Sequence, residues 1–130
     1  TDFEAFMRCY GHMSGSLDLL ARIQPEVSDP AQIETIRRAG IELMNERFAA
    51  PYDRLVEAYP YLDFFDGEQA RSQGRLPFDS LEMTEVRRQY ERFRTLGPLS
   101  DACLSASDKV QAQLANPHRP AYTTSLASQN

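Results

Sequence analysis

Cys9-Tyr10-Gly11-His12 is the cluster whose residue types come nearest to covalent chemistry. A cysteine and a histidine three positions apart on a helix share a face. An imidazole beside a thiol can lower its pKa and activate it as a nucleophile or a metal ligand. No further residue that would orient the imidazole is identifiable, and Cys9 lies among Phe6, Met7 and Met13, an apolar setting. The haem-attachment pattern would need a second cysteine just ahead of the histidine, and none is there. The plainer reading of His12 is a surface or half-buried histidine.

Metal chemistry finds little to work with. His12 and His118 are the only histidines, so a zinc site would draw most of its ligands from carboxylates. Glu82 with Glu85 and Asp63 with Asp66 are pairs too common to mark a two-metal centre, and the Glu-x-x-His pattern of ferritin-like sites does not occur. Glycine-rich phosphate loops, G-x-S-x-G and H-E-x-x-H are absent as well. The expectation is a non-enzymatic protein with no catalytic residue, no metal and no cofactor.

Cys9 and Cys103 are the only cysteines, and neither has a neighbour at zinc or redox spacing. They could form a disulfide, pack as two buried thiols, or be unrelated. A disulfide is the favoured reading. It would stabilise the fold by up to about 4–5 kcal/mol in the chain-entropy model and would imply an oxidising compartment. The chain opens Thr1-Asp2-Phe3 without an initiator methionine. A processed or trimmed form is therefore expected, with periplasmic or secreted localisation ahead of a cytoplasmic one.

The strongest binding candidate is the aromatic stretch Tyr59-Pro60-Tyr61-Leu62-Asp63-Phe64-Phe65, with Phe78, Tyr90 and Phe93. Tyr59, Tyr61, Phe64, Phe65 and Phe78 could form an anchor or groove for a partner, or simply plug the open end of a bundle. The Arg/Glu-rich face of residues 82–94 reads as solvated exterior, with a charged interaction face as the alternative.

The elements that must position these residues are helical. Thr1 and Glu4 form a capping box, and Phe3, Phe6, Met7, Tyr10, Met13, Leu17, Leu20 and Ala21 trace one stripe to about Ile23. Gly11 and Gly15 within it predict close approach of a neighbouring backbone, the alternative being a break near residues 11–16. Asp29-Pro30 starts a second helix whose stripe runs from Ile33 to Tyr59 and keeps phase across Pro51. A kinked long helix, or two helices meeting near Ala50, is expected there. Asp66-Gly67 reads as a turn, and residues 68–74 as polar with room for two helical turns. Residues 75–78 read as an extended connector whose Leu76 and Phe78 plug the core. Asp79 with Glu82 caps a last helix, Ser80–Ala115, expected to be kinked or interrupted for one turn at Gly97-Pro98, the alternative being a clean break with Ser100 capping a fresh helix. Its first half should face the aromatic end of the second helix, and its second half should carry Cys103 to Cys9. The sum is all-α: an antiparallel bundle of about four helices, two of them long and proline-kinked. It forms one domain over residues 1–116, followed by a polar, flexible C-terminal tail over 117–130.

Composition bounds the function. The 130 residues carry a net charge of −5, and arginines are interleaved with acids, which argues against nucleic-acid binding. No apolar run approaches a membrane span. Thirteen arginines against the single Lys109 read as a coding bias. The layout suits a small exported bacterial protein. The first expectation is an exported interaction module for a protein partner in an assembly, inhibitory or structural role, with a homo-oligomer also allowed. The alternatives are a small-molecule or lipid-binding bundle and a cytosolic regulatory domain with free thiols.

Overall fold

The computed structural model describes residues 1–116; the expected tail, residues 117–130, lies outside the described residues. No strand occurs among the described residues, and the fold is all-α. The described residues form five helices: α1 (Asp2–Ile23), α2 (residues 30–58), α3 (Phe64–Arg75), α4 (Met83–Leu96) and α5 (Asp101–Ala115), with short 3-10 turns at Gln24–Glu26 and Leu76–Phe78.

Helix starts follow local chemistry. The Thr1 hydroxyl accepts from the Glu4 amide at 3.1 Å, Asp29 from Gln32 at 3.2 Å, Asp63 from Asp66 at 2.9 Å, and Ser100 from Cys103 at 3.2 Å. Each satisfies a first-turn amide that has no partner inside its helix. The cap expected from Asp79 does not form. Ser80 sits at φ 60°, and α4 begins only at Met83 without a side-chain cap.

α1 is the axis of the bundle and packs against all the others. α2 runs antiparallel to it, with Gly40 against Leu17, Met44 against Ser14 and Phe48 against Phe6 and Tyr10. α3 runs parallel, pairing Phe64 with Phe3, Arg71 with Tyr10 and Arg75 with Asp18. α4 and α5 then follow one another back along α1. Arg22 donates to the carbonyl of Leu81, Cys103 meets Cys9, and Lys109 meets Asp2. The expected fourth helix is thus two helices in succession. Gly97, at φ 83°, closes α4 in a conformation that favours glycine. Pro98 offers no amide to carry the ladder on, and Ser100 caps a fresh helix. The clean break capped by Ser100, the alternative to the favoured kink or one-turn interruption, is the one the chain adopts. α4 also packs chiefly on α1, not on the aromatic end of α2.

The most extensive helix pair, α1 with α3, meets through small residues. A Cβ at Gly11 would lie 1.8 Å from the carbonyl oxygen of Arg71, and one at Gly74 would lie 1.9 Å from that of Arg8. Backbone therefore rests on backbone at both points, as the glycines of the first helix predict, and α1 runs unbroken through residues 11–16. Asp66-Gly67, expected as a turn, lies inside α3, where Gly67 receives the Phe3 ring. Leu76, expected in the core, is 64 % exposed, while Phe78 is half-buried against it.

α2 passes Pro51 without ending. Its hydrogen bonding widens to a π turn over Asn45–Ala49 and returns to α over Ala50–Ala58. Proline at 51 removes the amide that an α-helix would supply to the carbonyl of residue 47. That carbonyl is met from another helix: the fully buried Ser107 hydroxyl donates to Arg47 O at 2.7 Å. Arg47 and Asp108 form an ion pair at 2.7 Å beside it.

Two stability measurements check this packing. In urea unfolding, Gly11→Ala and Gly74→Ala should each cost about 3 kcal/mol, the upper end for overpacking, because backbone cannot swing aside for a methyl group. An exposed helical glycine would instead gain about 1 kcal/mol from the same change, so a gain at either site refutes the contact. Ser107→Ala should cost about 1–3 kcal/mol by leaving a buried carbonyl unpaired. The loss should shrink in a Pro51→Ala background, where an amide returns; equal losses in the two backgrounds would sever the link between these residues.

Candidate functional site

The sequence nominates Cys9 and Cys103 and five aromatic residues. The cysteines are bonded, with S–S at 2.03 Å and Cα–Cα at 5.5 Å across 94 positions of sequence. Both are half-buried on the seam between α1 and the first turns of α5. As a disulfide they hold no thiolate, and the Cys9–His12 pair has no free nucleophile. Among the described residues, no three His, Cys, Asp or Glu side chains converge as a metal-binding group. No helix among them is long and apolar enough to cross a membrane.

The five aromatics, contiguous or nearly so in sequence, separate in space. Tyr59 is buried at the end of α2; its hydroxyl donates to the carbonyl of Gln113 at 3.4 Å and accepts from the Gln113 amide at 3.2 Å. Phe64 is half-buried, edge-on to Phe3 at 5.6 Å and to Tyr52 at 6.1 Å. These two belong to the core. Tyr61 and Phe65 face outward, 98 % and 72 % exposed. They are held on a firm backbone: Leu62 between them is buried, its amide donates to Tyr59 O at 3.1 Å, and the Phe64 amide donates to Leu62 O at 2.9 Å. Glu68, Gln69, Ser72 and Gln73 form a shallow polar shelf beside Phe65 on the outer face of α3.

Phe78 goes elsewhere. Its ring covers Gly15 and stands edge-on to the His12 imidazole at 4.9 Å. Together they line a half-open cleft of about 210 Å³ between α1 and the α4–α5 break, with Arg92, Phe93, Leu96 and Leu99 on the far side. His12 presents an exposed edge. Burial of its inner face, and secondarily the Arg92 guanidinium, push its pKa below the ordinary histidine value. The cleft escapes a reading of the sequence because its residues come from three separate stretches. The local signal that could have marked it is Gly97-Pro98, as a break and not a bend.

A polar cluster fills the rim between α1, α2 and α3. The Arg71 guanidinium lies 4.0 Å over the Tyr10 ring and 3.7 Å from Glu68, and the Tyr52 hydroxyl donates to Glu68 at 3.3 Å. Burial, and then the Glu68 carboxylate, push the Tyr52 phenol upward. Every charge here has its partner, so the cluster reads as structural.

Comparison of the chain with protein-family models, curated proteins and solved structures gives no match.

The disulfide carries a direct test. A thermal melt in reductant should lower the wild-type midpoint by more than about 10 °C, from a crosslink contributing about 4–5 kcal/mol. Cys103→Ser should melt at that lower temperature with or without reductant. A wild type and variant equally sensitive to reductant would show that no such crosslink supports the fold.

Proposed function

We propose that this domain is a non-enzymatic, disulfide-locked interaction module that binds a protein partner through Tyr61 and Phe65. The observation that carries the reading is the exposure of two large aromatic side chains on a hydrogen-bonded turn and helix start. Isolated exposed apolar residues are ordinary on protein surfaces. Two neighbouring aromatics whose backbone is already fixed are a different matter, since little further order is lost when they bind. The polar shelf of Glu68, Gln69, Ser72 and Gln73 beside Phe65 supplies the rim that surrounds such anchors in protein interfaces. The bonded cysteines support a periplasmic or extracellular setting over a cytosolic one. Of the five aromatics expected to bind, Tyr61 and Phe65 are the pair available to a partner of this kind.

The test is a Tyr61→Ser/Phe65→Ser double variant beside the wild type, each immobilised against extracytoplasmic extract of the source cells. The wild type should retain a partner that the variant binds at least about 30-fold more weakly, the effect of losing an anchor worth ~2 kcal/mol. The melting temperature should stay unchanged, because neither side chain is in the core. A partner retained equally by both proteins would remove these residues from the interface, and sedimentation of the wild type would show whether the partner is a second copy of the chain.

A further inference from the structure

The cleft at the helix break differs in kind from the exposed aromatic pair. It exists because Gly97 and Pro98 end α4 one turn before α5 begins, leaving α1 opposite His12 uncovered by the described residues. Its walls are mainly apolar: Phe78, Phe93, Leu96 and Leu99. Its volume of about 210 Å³ equals that of about seven liquid water molecules at ~30 Å³ each. That is room for one aromatic ring or a short alkyl chain, and less than a lipid or a drug-sized ligand needs.

Its charge is one-sided. Arg92 is the only permanently charged residue lining it, and no carboxylate is among the described residues that do so. Arg92 also makes no ion pair among the described residues, while Arg87, Arg88 and Arg94, the other arginines of α4, all do. In a protein of net charge −5, an uncompensated guanidinium beside an apolar recess is matched by an anion with an apolar body. A guanidinium takes a carboxylate through two parallel N–H donors.

We propose that this cleft binds a small amphipathic carboxylate, its carboxylate on Arg92 and its apolar body against Phe78, Phe93, Leu96 and Leu99. The site is separate from Tyr61 and Phe65 and stands or falls without them. His12 and Arg92 are the titratable and charged groups that face one another across it. A bound carboxylate offsets the repulsion Arg92 exerts on the imidazolium, so occupancy raises the His12 midpoint; this makes His12 a reporter of the site.

The experiment is a two-dimensional NMR titration of the full chain with sodium benzoate and, separately, sodium hexanoate. Benzyl alcohol serves as the neutral control and sodium chloride as the ionic-strength control. At least one carboxylate should give saturable shifts confined to residues 12–16, 78 and 89–100 and should raise the His12 midpoint. Arg92→Gln should weaken it at least about fivefold, with Arg92→Lys between the two. Arg92 is exposed, so both variants should keep the wild-type circular dichroism spectrum. The proposal is overturned if neither carboxylate saturates, if the shifts scatter over the surface, if benzyl alcohol binds as tightly, or if Arg92→Gln binds like the wild type.

Discussion

The contact on which the rest of the structure depends is the seating of α3 on α1. At Gly11 and Gly74 the two backbones touch through the carbonyls of Arg71 and Arg8, with no side chain between them. Beside this crossing Phe3 and Met7 pack on α3 at Phe64 and Gly67, while Phe6 and Tyr10 meet Phe48 and Tyr52 of α2 to complete the core. It also sets where the chain emerges after α3, placing Phe78 over Gly15 as one wall of the cleft. Dispersion and exclusion of water hold this interface, and its specificity is steric: one methyl group at either glycine has nowhere to go.

A second constraint is the treatment of Pro51. A proline in a buried helix leaves a carbonyl without a donor, at about 3 kcal/mol if nothing replaces it. Here α2 accommodates it with a π turn and a hydroxyl from α5. α5 is thereby joined to α1 by the disulfide and to α2 by Ser107, the Arg47–Asp108 pair and the Tyr59–Gln113 hydrogen bonds. α5 is thus fixed to its neighbours by directed bonds as well as by its apolar face.

Much of this is legible in the amino-acid sequence. The all-α class, the caps at Thr1 and Asp29 and the stripe of α1 follow from spacing and cap chemistry, and the Cys9–Cys103 link that ties α5 to α1 is the favoured of three readings. What escapes has a common cause. α3 buries Gly67, Ala70 and Gly74, small residues that register in no hydrophobic pattern, so a principal interface reads as a polar stretch with a turn. Ser107 looks like any serine until Pro51 is placed across from it. Tyr59 and Tyr61 are alike in type and two positions apart, yet one is core and the other is solvent-facing. Which it is depends on the turn between α2 and α3, a tertiary matter. The cleft is illegible for the same reason, being a gap between elements and not a property of any one of them.

The span of the disulfide has a further consequence. All three connections from α2 onward, residues 59–63, 76–82 and 97–100, lie between Cys9 and Cys103, as does the one from α1 to α2. A protease that cuts once in any of these loops produces two fragments that remain one covalent molecule. The two fragments stay tethered through Cys9 and Cys103. Wherever the domain meets a protease, the crosslink keeps a single nick in these loops from releasing a fragment.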